Sequence, residues 1–290
     1  MIGVKIQGRL GNQMFQYAFG FTAAKKLSSF FFMLLDSDSD LYVLPTYFEL
    51  RFKEKYLQRL GSILFKLTSK FLTFNRIWQT GSDKKAMELH NNAIYYGFFQ
   101  SEYFFKAHSN RIKTLFTIKK EYRSKFTKKF GSIFSDKKTI VVHFRGGDYY
   151  TWSSDVFGGQ NVTLPVQYYK NCFSMIENID AYKIIFVSDD IGFFKQNFQN
   201  LGNATFVCDE EIVDFQLLLN ADKLVISNSS FSWWGAYLNY HNAEVFAPKY
   251  WLGFKNKSEY PLNIIPTNFK QVDVGFSDSE MGDFSRQEIL

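Results

Sequence analysis

Short apolar runs alternate with helix-length segments through the second half of the chain, and this constrains the fold more than any other feature. Runs at 139–144, 183–187, 205–207, 224–227 and 244–247 have strand length, and segments with helical spacing fit between them at 165–177 and 211–221. Strands alternating with helices of ten or so residues predict a parallel sheet in an α/β fold. Such a sheet takes its ligands beyond the carboxyl ends of its strands. Three loops at those ends are polar: His143-Phe144-Arg145-Gly146-Gly147-Asp148-Tyr149, Ser188-Asp189-Asp190, and Asn228-Ser229-Ser230-Phe231-Ser232-Trp233-Trp234-Gly235.

The first half opens in the same style. A strand at 3–7 leads into Gly8-Arg9-Leu10-Gly11 and a helical run at 12–27, with Met14, Tyr17, Ala18 and Phe21 on one face. Strand, glycine loop and helix begin a nucleotide-type α/β unit. The loop nevertheless lacks both the full dinucleotide fingerprint and a phosphate-loop Lys. With 290 residues, 46% of them hydrophobic and 34 of them Phe, the chain can bury one large core or two medium ones. We place a domain boundary near 136, giving an acceptor-side α/β domain at 1–136 and a donor-side Rossmann-like domain at 137–290. The polar tail at 275–290 is expected to fray.

The charge is uneven. Residues 1–138 hold 24 Lys/Arg against 10 Asp/Glu, net +14, whereas 139–290 hold 10 against 18, net −8. The stretch 111–138 alone has ten Lys/Arg against Glu121 and Asp136, which predicts a surface helix or a linker. A basic half suits nucleic acid, an anionic membrane face or a lipid-pyrophosphate substrate, and equally a solvated face with no partner. The apolar stretches near 30–35 and 94–99 are too short to span a bilayer. The amino terminus has the pattern of a strand rather than a signal peptide, and two cysteines, Cys172 and Cys208, make no disulfide framework. The expectation is a cytoplasmic protein, with peripheral contact at the inner face of the membrane through the basic half.

Several side chains point to chemistry. Arg145 has the planar fork that grips a diphosphate, and His143 beside it suits a base or ribose. The hydroxyls and amides of Ser229, Ser230 and Phe231, at a helix start, form an anion site or an ordinary N-cap. Asp214, set among Ile212, Val213, Phe215, Leu217 and Leu218, wants a partner with paired N–H donors, such as a guanine edge, or else is exposed or ion-paired. Asp148, then Asp155, are the candidate bases, with a structural role for Asp148 left open. Asp36-Ser37-Asp38-Ser39-Asp40 has Asp-x-Asp spacing but no calcium-loop Gly or Glu, and is expected to be a polar turn. The four His are scattered without ligand spacing, and Trp233-Trp234 suit core packing better than sugar stacking. No metal or other cofactor is expected.

Five segments, in order, resemble the bacterial α-1,2-fucosyltransferases of glycosyltransferase family 11. They are Gly8-Arg9-Leu10-Gly11-Asn12-Gln13-Met14-Phe15-Gln16-Tyr17-Ala18, Gly97-Phe98-Phe99-Gln100-Ser101-Glu102-Tyr103-Phe104, the 143–149 loop, Phe186-Val187-Ser188-Asp189-Asp190, and 227–238. The resemblance implies a two-lobed GT-B-type fold with the donor site in the second lobe. It implies GDP-β-L-fucose as donor, inversion at the anomeric carbon, no metal, and an α-1,2 link to a glycan or lipid-linked acceptor, usually a terminal galactose. It implies that Arg145 holds the β-phosphate and that His143 and Asp214 contact the nucleoside. It also implies that Ser229, Ser230 and Phe231 wrap the diphosphate, that Asp189 belongs to the donor site, and that Asn12 lies near sugar and phosphate. One position departs: the family loop has His-x-Arg-Arg-Gly-Asp, and Gly146 stands where the second Arg would be, which bears on donor affinity and leaving-group stabilisation.

Two other readings remain. One is a related transferase with another GDP-sugar or linkage. The other is a non-enzymatic basic protein binding nucleic acid or membrane, which leaves the 143–149 and 228–235 loops unexplained.

Overall fold

A computed structural model of the chain describes residues 1–35, 41–50, 73–79 and 87–275, together with 63 and 67. The Asp-x-Asp segment at 36–40, most of residues 51–86, and the tail beyond 275 lie outside the described residues.

The first half builds a parallel four-stranded sheet. Strand β1 (Ile2–Lys5) leads into helix α1 (Leu10–Lys26), strand β2 (Phe31–Leu34), the short helix α2 (Leu44–Tyr47), and strands β3 (Asn75–Trp78) and β4 (Ala93–Tyr96). The order is β2-β1-β4-β3. Helix α1 starts at Leu10, earlier than its apolar spacing predicts, because Gly8 turns the chain at φ +71°. The basic run then forms helices α3 (Ser109–Leu115) and α4 (Lys120–Asp136). The latter buries Phe126 and Phe130.

The second half is a parallel six-stranded sheet. In chain order come β5 (Thr139–Phe144), the small antiparallel pair β6 (Ser153–Ser154) and β7 (Gly159–Gln160), and helix α5 (Val166–Ser174). Then follow β8 (Lys183–Ser188), α6 (Ile191–Phe198), β9 (Ala204–Val207), α7 (Glu211–Leu219), β10 (Lys223–Val225), α8 (Ser230–Tyr237), β11 (Glu244–Pro248) and β12 (Lys270–Val272). The order is β12-β11-β10-β5-β8-β9.

Three differences from the sequence expectations have physical causes. The strand predicted at 224–227 ends at Val225, because Ser227 turns its hydroxyl to His143. The helix predicted at 165–177 spans Val166–Ser174, with Pro165 at its cap. The helix predicted at 211–221 stops at Leu219, after which the Asn220 and Asn239 amides take carbonyls of α7 and the turn behind it.

Strand order shows where a ligand can sit. In the second sheet the order reverses between the central strands β5 and β10, where a crevice opens beyond the carboxyl ends; in the first the central neighbours β1 and β4 carry a second crevice beyond their carboxyl ends. The two crevices face each other because α1 and α8 pack together. Phe15 of α1 meets Trp233 and Trp234 of α8 at centroid distances of 4.5 and 4.9 Å, and Phe105 stacks on Trp234 at 5.3 Å. Both Trp are buried in this junction and lie outside the cleft, so core packing is their role. The opposite charges of the two halves also meet, where Lys125 and Lys129 of α4 pair with Glu210 and Asp209; within the first half Arg123 lies 3.5 Å from Glu49. Part of the basic surplus is thus neutralised within the molecule. Among the described residues no helix is long and apolar enough to cross a membrane.

Gly11 sits at the tightest point of this packing. A methyl group there would lie 2.5 Å from Phe231 N and from the Ser230 carbonyl carbon, both backbone atoms that cannot rotate away. Gly11→Ala should therefore destabilise the fold by about 1–3 kcal/mol, the range for overpacking a tight site. A thermal melt should show a Tm several degrees lower, and an unchanged Tm would contradict this packing.

Candidate active site

The facing crevices form one cleft of about 1090 Å³. Its second-lobe wall is built from loops that follow β5, β8, β9 and β10, and its first-lobe wall from those that follow β1, β3 and β4.

Strand β5 is buried along its whole length and delivers His143 and then Arg145 to the cleft. Two carboxylates hold the guanidinium: Nη2 lies 2.5 Å from Asp148 Oδ1 and Nη1 lies 2.7 Å from Asp189 Oδ2. The second oxygen of Asp189 accepts the Gly146 N–H at 2.8 Å, so one side chain from the β8 loop sets both the Arg145 backbone turn and its tip. Tyr149 lies beneath the guanidinium, 5.6 Å from carbon to ring centroid, and its hydroxyl donates to the Asn228 carbonyl at 3.2 Å. Arg145 keeps only 17% of its side-chain surface exposed, so its direction is fixed before any ligand arrives.

His143 is buried, with Nδ1 2.9 Å from Ser227 Oγ. Burial first, and then the Arg145 charge, push its imidazole from the usual 6.5 down to about 3. It is therefore neutral throughout the physiological range. Asp214 on α7 accepts the Asp209 N–H on both oxygens, at 3.2 and 3.1 Å. Burial pushes its carboxyl up to about 7, with the Asp209 charge adding to the effect and the Asp209 amide and Lys129 opposing it. Neither an exposed position nor a direct ion pair describes it.

Helix α8 begins at the cleft. Ser229 caps it by accepting the Phe231 N–H at 3.3 Å. Ser230 and Phe231 also line the cleft, and the Phe231 ring lies 5.5 Å from His143. The amino terminus of α1, where no side chain caps Arg9, adjoins it through Gly11. Two helix dipoles thus present their positive ends to one spot, which favours an anion. Asn12, one turn into α1, accepts from Gln100 Nε2 at 2.7 Å.

Nine of the ten candidate site residues, Asn12, His143, Arg145, Asp148, Asp189, Asp214, Ser229, Ser230 and Phe231, line this cleft. Asp155, the second candidate base, does not: it is exposed at the start of a 3-10 turn whose carbonyls take the Asn256 amide. Among the described residues no three His, Cys, Asp or Glu gather as a metal would require.

Two charged residues escaped the sequence reading. Arg9 lies in the cleft, and among the described residues no carboxylate pairs with it. Only its place in a quoted motif hinted at it. Glu211 at the head of α7 is half-buried and takes the Tyr47 hydroxyl. Burial raises its carboxyl, while Tyr47, Arg9 and Arg145 pull it back. An acidic residue in a first helical turn ordinarily complements the dipole, so its place in a cleft gave no local signal.

Two parallel α/β lobes that share one cleft, with a fixed guanidinium and two helix amino termini lining it, make a fold of GT-B type. The model for Glycosyl transferase family 11 matches residues 1–260, and the chain belongs to that family. The chain is 28% identical to the O-antigen biosynthesis glycosyltransferase WbnK of Escherichia coli over 89% of its length and 97% of that protein's. It is 26% identical to an alpha-1,2-colitosyltransferase of E. coli, over 87% and 92%. Among solved structures it resembles POFUT1 in complex with GDP, with a TM-score of 0.51 over 83% of this chain and 94% of that one; at 14% identity the likeness shows the fold.

The environments of His143 and Asp214 separate their titrations. In imidazole nitrogen NMR, His143 should show no protonation between pH 5 and 8, whereas the Asp214 carboxyl should ionise near pH 7. A His143 signal midway at pH 6.5 would contradict its placement.

Proposed function

We propose that the protein is an inverting glycosyltransferase that moves L-fucose from GDP-β-L-fucose to the 2-hydroxyl of a terminal galactose on a glycan, without a metal. The observation that carries this reading is Arg145, held by Asp148 and Asp189 at the switch point of the second lobe, in the cleft that the α1 and α8 amino termini also line. The acceptor oxygen attacks the anomeric carbon from the face opposite the phosphate. The carbon–oxygen bond to GDP breaks and its electron pair stays on the β-phosphate. That charge falls where Arg145, Arg9 and the amides near Ser229–Phe231 converge, and donors aimed at developing charge are the largest single source of catalysis. Arg9 stands in for the guanidinium that Gly146 lacks. Asp214, ionised above about pH 7, accepts the paired N–H donors of guanine, and neutral His143 contacts the nucleoside.

Asp148 gives both its position and its charge to Arg145, which makes it an orienting group. The phosphate departs on the opposite face, so the acceptor proton leaves late, to water on the acceptor's side of the sugar. Lipid-linked glycans and the inner membrane face suit the basic first half as acceptor and location.

A second reading has one relative behind it. The alpha-1,2-colitosyltransferase suggests a donor bearing colitose, the 3-deoxy counterpart of fucose, in place of fucose. Mass spectrometry of the product distinguishes the two by one oxygen.

Isothermal titration with GDP, GMP, UDP and ADP tests the nucleotide class first: GDP should bind and UDP and ADP should not. Transfer in excess EDTA should keep its full rate. Arg145→Ala should lower transfer by roughly a hundredfold or more, the scale for one such donor. Arg145→Lys should also be poor, because an ammonium cannot copy the fork. Arg9→Ala should weaken GDP about tenfold, as expected for one charge-assisted contact, while leaving GMP unchanged. Equal loss for GDP and GMP would remove Arg9 from the β-phosphate, and a wild-type rate for Arg145→Ala would sink the donor assignment.

A further inference from the structure

The donor reading uses the second-lobe wall and the two helix amino termini, and much of the cleft remains. At about 1090 Å³ it exceeds the ~300–1,000 Å³ of sites that enclose one small ligand. The remaining wall belongs to the first lobe, at the carboxyl ends of β3 and β4, and its chemistry differs sharply. Arg9, at the diphosphate end, is the single charged residue among the described first-lobe lining. The rest are aromatic rings, amides and glycines.

Trp78 stands at the end of edge strand β3 with 61% of its surface exposed. Its indole stacks on Tyr96 of β4, centroids 4.9 Å apart and planes within 14°. Tyr96 covers one indole face and fixes its tilt, and the exposed Trp78 lines the cleft. Phe98 and Trp152, 39% and 40% exposed, line the same space. Single exposed apolar side chains are ordinary, but several rings around one cleft mark a binding surface. Gln7 is exposed on this wall, and among the described residues its side chain has no hydrogen-bond partner. Gln100 is pinned by its bond to Asn12, which leaves its carbonyl oxygen for a hydroxyl donor.

We infer that this wall is the acceptor subsite, and that it takes a neutral hexopyranose whose C–H face lies on the Trp78 indole while its hydroxyls meet Gln7 and Gln100. An uncharged wall argues against an anionic sugar, and a flat ring backed by a second ring suits the C–H face of a pyranose, as for other contacts to aromatic faces. The inference rests on the donor reading, because only a donor on the opposite wall makes this one the acceptor side.

Saturation-transfer NMR on the full chain with GDP present, using methyl β-galactoside, β-glucoside and N-acetyl-β-glucosaminide as probes, tests it directly. The wild type should give transfer from the ring C–H protons of at least one glycoside, and Trp78→Ala should lose it. With lactose as acceptor, Trp78→Ala should raise KM about two- to tenfold, the scale of one aromatic contact, and Trp78→Phe should restore most of the loss. GDP affinity should be unchanged in both variants. Circular dichroism melts of the two variants, at an exposed edge position, report folding independently. Unchanged glycoside contact and KM in a folded Trp78→Ala that binds GDP normally would overturn the subsite. So would the absence of transfer from every glycoside to a wild type that binds GDP. A wild type that ignores GDP would instead overturn the donor reading beneath it.

Discussion

The close approach of Gly11 to the Ser230–Phe231 backbone governs the geometry of everything else. It brings the start of α1 against the start of α8, and so makes the carboxyl ends of two separate sheets line one cleft. Neither sheet alone has a deep site. A parallel sheet offers a crevice at its reversal of order, but a crevice open to water leaves a diphosphate well solvated and weakly held. Packing Phe15 against the two Trp joins the lobes outside the cleft, so the polar residues on its two walls act in a partly water-excluded space where charge interactions are stronger.

Within that space the electrostatics are arranged ahead of any ligand. Two guanidiniums, Arg9 and Arg145, and two helix dipoles face the carboxylates of Asp148, Asp189 and Glu211. Pairing Arg145 with two carboxylates lowers the cost of burying it and holds it still. The cation then need not reorganise when negative charge appears nearby, which is the condition for electrostatic catalysis. His143 follows the same logic in reverse: burial beside Arg145 keeps it neutral, so it adds no competing positive charge and is free to hydrogen-bond.

Much of the second lobe was legible because its strands are apolar along their length and end in polar loops, a pattern that local sequence carries. The residues at those strand ends could be named one by one. What was not legible was pairing across distance. Asp189 binds both the guanidinium of Arg145 and the Gly146 amide from 43 residues away, and no local pattern announces that. Strand β3 escaped because it is four residues long and mostly exposed, so its apolar signal is short and broken, and β4 because a run of four residues carries too little period to be told from a loop. Asp155 was misplaced for the opposite reason: it is close in sequence to the Arg145 loop, but the chain turns away through a 3-10 turn before reaching it.

The loop that carries Arg145 also shows why a single guanidinium stands there. A β-carbon at Gly146 would lie 2.9 Å from Asp190 Cβ and 3.0 Å from the Tyr150 ring. Those two side chains are joined, the Tyr150 hydroxyl donating to Asp190 at 2.7 Å, while the other Asp190 oxygen caps α6 through Gly192 N–H. Moving either to admit a larger side chain would break a helix cap or a tyrosine–carboxylate bond. The space beside Arg145 is therefore filled by a different, self-consistent arrangement, and restoring an arginine at 146 alone would strain it. The other guanidinium lining the cleft is Arg9, on the far lobe and at the amino terminus of the helix that Gly11 locks in place.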